Sequence, residues 1–266
     1  MNTAVSLDLF AAGGDPRYTA LQGLRRRLVR FASGLSRTKD FETAAWAGHG
    51  VGVEIGEMSD TALRALARCI VDYRVPVFAD SGAFGAFMRG LRKGGAAHID
   101  FPRVLSGYDR LTSLIYEANE AEDKLPPPLL VMPDIVGDQL ASLSLVRTYA
   151  AYIRALVAFP GVARAVIPLQ GGDLTLTEAY DEVVQIIGSD HFIAGLPSNA
   201  AAIPPSDFTA FLREAQPRAV HILGAFADSR LTPRLNQILD ANLPYNLAIS
   251  ADANPLRSII VDRGQT

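Results

Sequence analysis

A chain of 266 residues with 49% hydrophobic content can enclose a large core, and one globular domain over residues 1–266 is expected. Its single cysteine, Cys69, excludes an internal disulfide and a zinc site built on several cysteines. No apolar run reaches membrane-spanning length and no basic-then-apolar leader opens the chain, so a cytoplasmic protein without membrane contacts is expected, and its net charge of −3 excludes a uniformly basic surface.

Elements follow in chain order. "VSLDLF" (5–10) alternates apolar and polar residues and predicts a first strand. Residues 16–39 then carry Arg17, Arg25, Arg26, Arg27, Arg30, Arg37 and Lys39 with no acid among them. A second basic cluster holds Arg89, Arg92, Lys93 and Arg103 against Asp100 alone. Two one-signed clusters on an otherwise acidic chain suit phosphate contacts, with Arg25, Arg26, Arg27, Arg30, Arg89, Arg92 and Lys93 as the nucleic-acid backbone candidates. "VGVEI" (51–55) predicts a second strand, and "LRALARCIVDY" an amphipathic helix with Cys69 as a buried thiol.

From residue 75 a pattern repeats. "VPVFAD" is an apolar run ending at Asp80, followed by small residues that allow a tight turn. "PPLLVMPD" ends at Asp134, "ARAVIPLQGG" reaches Gln170, "HFIAGLPS" passes Gly195, "AVHILGAF" passes Gly224 and "YNLAISAD" ends at Asp252. After the first, these landmarks are 25 to 36 residues apart, the length of one strand plus a crossover helix. Helical patterns fill the intervals, among them "LASLSLVRTYAAYIRALVAF", "LTEAYDEVVQIIG", "SDFTAFLREA" and "LTPRLNQILDA". Eight strands alternating with helices predict an α/β protein, a single (β/α)8 barrel with its active site at the C-terminal ends of the strands. An open doubly wound sheet is the alternative, but no full phosphate-binding glycine fingerprint follows the first strand.

Each polar strand end has an ordinary explanation, since aspartate caps helices and glycine makes turns. Six in register converge on one rim. Asp134, Gln170 and the Gly195 backbone suit a flat ligand rich in donors and acceptors, such as a purine, and Phe84 and Leu223 are placed to cover its faces. Asp80 and Asp252 are then available for chemistry at a glycosidic carbon, where a carboxylate stabilises or traps an oxocarbenium-like centre. His221 lies inside a strand and reads as a hydrogen-bonded core histidine, whereas His49, His98 and His191 read as loop or strand-start residues. No spacing among the four suggests a metal, and no cofactor is expected.

The motifs resemble those of the tRNA-guanine transglycosylase superfamily. "DSGAFGAF" resembles its Asp-Ser-Gly-Gly-Phe/Tyr-Gln motif, "PDIVGD" its base-recognising aspartate strand, and "IPLQGG" its Val-Gln-Gly-Gly. "IAGLPS" resembles Gly-Gly-Leu-Ala, "HILGAF" Leu-Met-Gly-Val-Gly, and "SADANPLR" Asp-Cys-Val-x-Pro-Thr-Arg. All six keep the family order, over residues 75–257. The resemblance implies that Asp252 is the nucleophile and Asp80 the general acid/base. It further implies that Asp134, Gln170 and Gly195 recognise guanine, Phe84 and Leu223 sandwich it, and Ser81, Gly82, Gly171, Leu196 and Gly224 complete the binding wall. Ala83, Gly85, Ile135, Ala253 and Asn254 depart from the family pattern. Only 14 residues follow Asp252, where the tRNA enzymes continue into a zinc subdomain. The chain is most similar to the compact, zinc-free enzymes that exchange guanine in DNA for a 7-deazaguanine. The expected partners are therefore nucleic acid, DNA before tRNA, a 7-deazaguanine-type free base and accessory proteins. A tRNA-directed enzyme, a non-catalytic nucleic-acid-binding subunit and a guanine-releasing glycosidase are the alternatives.

Overall fold

In a computed structural model of the chain, the described residues are 15–93, 99–119, 124–225 and 228–253. Eight parallel strands close into a barrel in which each pairs with its neighbour in sequence and β8 pairs with β1. The strands are β1 (Val29–Ala32), β2 (Gly50–Glu54), β3 (Val77–Asp80), β4 (Leu129–Val131), β5 (Arg164–Pro168), β6 (Ile193–Pro197), β7 (Ala219–Leu223) and β8 (Ala248–Ala253). Ten helices accompany them: α1 (Pro16–Arg27), α2 (Thr38–Trp46), α3 (Asp60–Val71), α4 (Ala83–Lys93), α5 (Phe101–Ala118), α6 (Gln139–Thr148), α7 (Ala150–Ala158), α8 (Leu176–Ile187), α9 (Pro205–Glu214) and α10 (Asp228–Ala241). The expected (β/α)8 barrel is thus the observed architecture.

The start of the barrel differs from the sequence reading. Residues 5–10 lie outside the described residues, and the barrel's first strand is Val29–Ala32, inside the basic stretch. Four residues suffice here because both neighbours hold them, with Phe31 opposite Gly50 on one side and Asp252 on the other. Gly50 and Gly52 permit that approach: a Cβ at Gly50 would stand 2.5 Å from the Arg30 carbonyl oxygen, and one at Gly52 2.9 Å from Ser33 Cα.

Strand alternation sorts side chains into two apolar layers. Val77 and Ala79 of β3 join the core between barrel and helices, as do Ile249 and Ala251 of β8. Phe78 faces inward and packs with Phe31, Leu129, Val131, Val166, Ile193 and Ala219 as a plug beneath the rim. By the same alternation Asp80, Ser250 and Asp252 face inward. The largest interval between landmarks, from Asp80 to Asp134, holds two helices rather than one, α4 and α5.

Local signals agree with the helix positions. Thr175 closes α8 with a reciprocal capping box to Glu178, and Gly188 ends it in the left-handed conformation at φ 76°. Ser59 and Asp138 cap α3 and α6. Cys69 is fully buried on α3, its thiol donating to the Ala65 carbonyl and pushed up to about 12 by burial. No helix among the described residues is long and apolar enough to cross a membrane.

Candidate active site at the barrel rim

The C-terminal ends of the strands bring Asp80, Asp134, Gln170, Gly195, Leu223 and Asp252 to one mouth. Asp252 is the most firmly held. Its Oδ1 accepts from the Gly224 backbone N–H at 2.7 Å and stands 3.3 Å from His221 Nε2. Gly224 reaches it from a tight turn at φ 64°, where glycine is free of the strain a side chain would bring. The same turn is fixed from behind, since Ser198 Oγ donates to the Gly224 carbonyl at 2.8 Å. Both bonds to Asp252 use Oδ1, so Oδ2 has no hydrogen-bond partner among the described residues.

His221 is fully buried and lies flat on Phe78, with ring centroids 4.3 Å apart and planes 6° from parallel. Its Nδ1 is 2.9 Å from Ser250 Oγ. A hydroxyl proton given to Nδ1 places the ring proton on Nε2, which then donates to Asp252. The core histidine read from sequence is therefore also an orienting group for the candidate nucleophile. Its signal was an inward-facing position on β7, one strand away from the inward-facing Ser250 and Asp252.

Asp80 sits between the other acids. Its Oδ1 accepts from the Gly82 N–H at 3.3 Å, a turn that fixes the carboxyl just before α4 begins. Burial raises its pKa to about 7, with the Asp252 and Glu54 charges adding to the shift. Glu54 ends β2 in register with Asp80 and was not singled out in the sequence, although it is a strand-end acid of the same type. A Cβ at Gly82 (φ 85°) would collide with the Glu54 carboxylate, so Gly82 is required by both backbone and neighbour. A Cβ at Gly85 would lie 3.2 Å from Glu54 Oε2.

Asp134 and Gln170 form a hydrogen-bonded pair in the mouth. Both are buried, and Gln170 Nε2 donates to Asp134 Oδ2 at 2.9 Å. The Gly137 N–H donates to Gln170 Oε1 at 3.0 Å, which fixes the amide orientation and leaves one Nε2 proton for a ligand carbonyl. Burial lifts Asp134 to about 7, the Asp80 charge adding and the Gln170 bond opposing. Two supports were missed in the sequence. Gln139, on the first turn of α6, donates to the Gln170 and Leu174 carbonyls and accepts from the Leu174 N–H. Tyr108, from α5, brings its hydroxyl to 2.7 Å from the Val131 carbonyl and 3.2 Å from that of Ala79, directly behind Asp134 and Asp80. A glutamine just after the Asp138 cap was a readable signal for the first. The tyrosine acts across 23 to 29 residues of sequence and left no local trace.

The glycines keep the mouth open. Gly195 faces inward, where a Cβ would stand 3.2 Å from Leu223 Cδ1 and from Val166 Cγ1. Gly171 passes so close to the Ala202 carbonyl, and Gly172 to Gln139, that a Cβ at either would fall within 2.6 Å. Ser81 is buried beside the Asp80 turn, and its Oγ accepts from the Ala83 N–H. Phe84 stands on the first turn of α4 with 55% of its surface exposed. Leu196 does not line the mouth with its side chain: it joins the outer core, so only its backbone reaches the rim.

The basic candidates separate. Arg89 and Arg92 are exposed on α4 beside the rim, and Lys93 ends that helix. Arg25, Arg26 and Arg27 end α1, which feeds the N-terminal end of β1, away from the rim. Arg25 donates to Thr232 and Arg27 to Asn246. Arg30 is an exposed residue of β1. Among the described residues, no group of three or more His, Cys, Asp or Glu is placed to hold a metal ion. No known protein-family model matches the chain, and no curated protein matches it.

Proposed function

We propose that this chain is a guanine transglycosylase, which exchanges guanine in nucleic acid for a 7-deazaguanine through a covalent aspartyl-sugar intermediate. One observation carries the reading. A recognition pair, Asp134 with Gln170, and an anchored carboxylate, Asp252, flank a third carboxyl, Asp80, whose pKa is raised to about 7. Two carboxyls with separated roles are what displacement at an anomeric carbon needs.

Guanine presents its ring N–H and amino group to Asp134, held as the carboxylate by the Gln170 hydrogen bond and by these two donors, and its carbonyl to Gln170 Nε2 and the β6 backbone. Asp252 Oδ2, which has no hydrogen-bond partner among the described residues, attacks the anomeric carbon. The glycosidic C–N bond breaks with its electron pair passing to the base. Asp80, carrying a proton near neutral pH, delivers it to the departing guanine. The incoming base gives its ring proton to the Asp80 carboxylate, attacks the same carbon and displaces Asp252. His221 and the Gly224 N–H hold Oδ1 throughout, so the nucleophile does not swing toward Asp80.

DNA is favoured as the polymer on the resemblance to the compact transglycosylases. The test is incubation with labelled guanine and duplex DNA, single-stranded DNA or tRNA. Label should enter DNA, and denaturation during turnover should trap an adduct on Asp252. Label in tRNA alone reassigns the polymer, and guanine release without exchange marks a glycosidase. An adduct on Asp80, or activity surviving Asp252→Ala, would overturn the mechanism.

A further inference from the structure

Helix α4 is turned inside out. Its buried residues are small, Ala83 at 6% exposure and Ala86 at 2%. Three of its four large apolar residues face solvent, Phe84 at 55%, Phe87 at 40% and Leu91 at 65%, while Met88 is half-buried. The three exposed ones stand at i, i+3 and i+7 and form one stripe about 10 Å long. Isolated exposed apolar residues need no explanation, but an aligned stripe of two phenylalanines and a leucine does.

Position and charge select the occupant. The helix begins three residues after Asp80, so the stripe rises from the lip of the mouth. Arg89 and Arg92 are exposed on the same helix, and residues 81–99 contain no acidic side chain. Aromatic groups flanked by cations, with Glu54 of β2 the acid placed against the first turns of the helix, suit a nucleic acid, whose bases stack on the rings while its phosphates meet the guanidinium groups. The mouth sets a further demand. Asp134 and Gln170 are buried, so a base held in a duplex must leave its stack to reach them.

We infer that α4 is a duplex-opening wedge: Phe87 and Leu91 enter the stack beside the target guanine and occupy the space left when that nucleotide turns into the mouth, while Arg89 and Arg92 hold the flanking phosphates. This rests on the proposed reading of the site and names its substrate as duplex nucleic acid. Apolar side chains inserted between base steps unstack them, a cost that phosphate contacts offset.

The test uses the full chain and a DNA duplex with 2-aminopurine next to a single guanine. Saturating wild-type protein should raise 2-aminopurine fluorescence several-fold, as unstacking does. Phe87→Ala/Leu91→Ala should abolish that rise and weaken duplex binding about tenfold, the scale of removing one stacking side chain. Binding of the corresponding single strand should change less than twofold. Thermal melts followed by circular dichroism confirm folding, since neither side chain is buried. No fluorescence rise with saturating wild type, or an undiminished rise in the variant, overturns the wedge. So does a variant that binds duplex normally but sediments as a smaller species, which would make the stripe an interface between copies. Label exchange into single-stranded DNA by the same two proteins tests the transglycosylase reading separately: its absence in both sinks that reading whatever the fluorescence shows, and its presence leaves the wedge to be judged on the duplex alone.

Discussion

His221 Nε2 stands 3.3 Å from Asp252 Oδ1 while its Nδ1 stands 2.9 Å from Ser250 Oγ, so one buried ring joins two inward-facing residues of β8. With Nε2 protonated, the ring donates to the Asp252 carboxylate and Nδ1 accepts from the Ser250 hydroxyl, whose other acceptor is the Val220 carbonyl at 3.5 Å. Replacing His221 with Phe keeps the stack on Phe78 and removes the donor. Turnover should fall by one to two orders of magnitude, the usual scale for loss of a single oriented donor. Base binding at Asp134 should be unchanged. Ser250→Ala frees the tautomer, and ¹⁵N shifts of the imidazole should then report a mixture instead of a single Nε2-protonated form. A wild-type ring protonated at Nδ1 would reverse this assignment.

Asp80 and Asp134 make the fold weaker at high pH. Both are raised from 3.8 to about 7 in the folded protein, chiefly by burial. Each group therefore binds its proton more tightly folded than unfolded. Their contribution to stability is greatest below about pH 4, declines as pH rises between the two values, and levels off above about 7. Asp80→Asn should stabilise the protein at pH 8 by about 2 kcal/mol, with the gain vanishing near pH 4. Urea melts at the two pH values measure it. On the proposed mechanism the same ionisation removes the proton that Asp80 would supply to the leaving base, so the wild-type chemical step should slow above about pH 7. A pH-independent difference between wild type and Asp80→Asn would mean that Asp80 is not buried as a charge.

Much of this site was legible because a strand ending in a polar residue and a turn is a short-range signal. Asp80, Asp134, Gln170, Gly195, Gly224 and Asp252 each carry it within about eight residues. The first strand was hidden because Val29–Ala32 is only four residues long and holds Arg30 within a basic run. Glu54 was legible as a strand residue, but its place beside Asp80 depends on the register of β2 against β3. Gln139, Tyr108 and Arg234 act from helices on carbonyls 23 to 37 residues away. Nothing local records such an interaction, since one helix surface can meet any loop the barrel brings to it.

Arg234 illustrates what such a long-range tie demands. It is 1% exposed on α10, and its Nη2 donates to the carbonyls of Pro197, Asn199 and Ile203. Its guanidinium lies 4.6 Å over the Phe208 ring, and burial lowers its pKa to about 10. It ties the loop after β6, which carries Ser198, to the helix layer. Arg234→Met should destabilise the fold by about 3 kcal/mol by leaving three carbonyls without their donor. Arg234→Lys should not fully restore stability, because one ammonium cannot serve the three carbonyls, donate to Gln237 Oε1 and lie flat on the Phe208 ring at once. Limited proteolysis should cut within 197–203 in both variants and not in wild type. Equal resistance in all three would show that the loop stands without the clamp.

The two basic clusters should contribute unequally to nucleic-acid binding. Arg89 and Arg92 flank the mouth on α4, so a polymer with a nucleotide in the site must pass them. Arg25, Arg26 and Arg27 close α1 at the other end of β1, and two of them already donate to groups on this chain, Thr232 and Asn246. Reversing Arg89 and Arg92 to Glu should weaken duplex binding at every sequence. Its salt dependence should flatten by about one unit of slope for each phosphate no longer neutralised. Reversing Arg25, Arg26 and Arg27 changes more charge in total, yet should alter the slope less, because screening over the length of the barrel leaves little of their field at the rim at about 0.15 M salt. Affinity measured from about 50 to 300 mM salt separates the two. A larger change of slope from the α1 variant would mean that the polymer reaches the strand N-terminal face, and that the bound duplex wraps the barrel rather than sitting across its mouth.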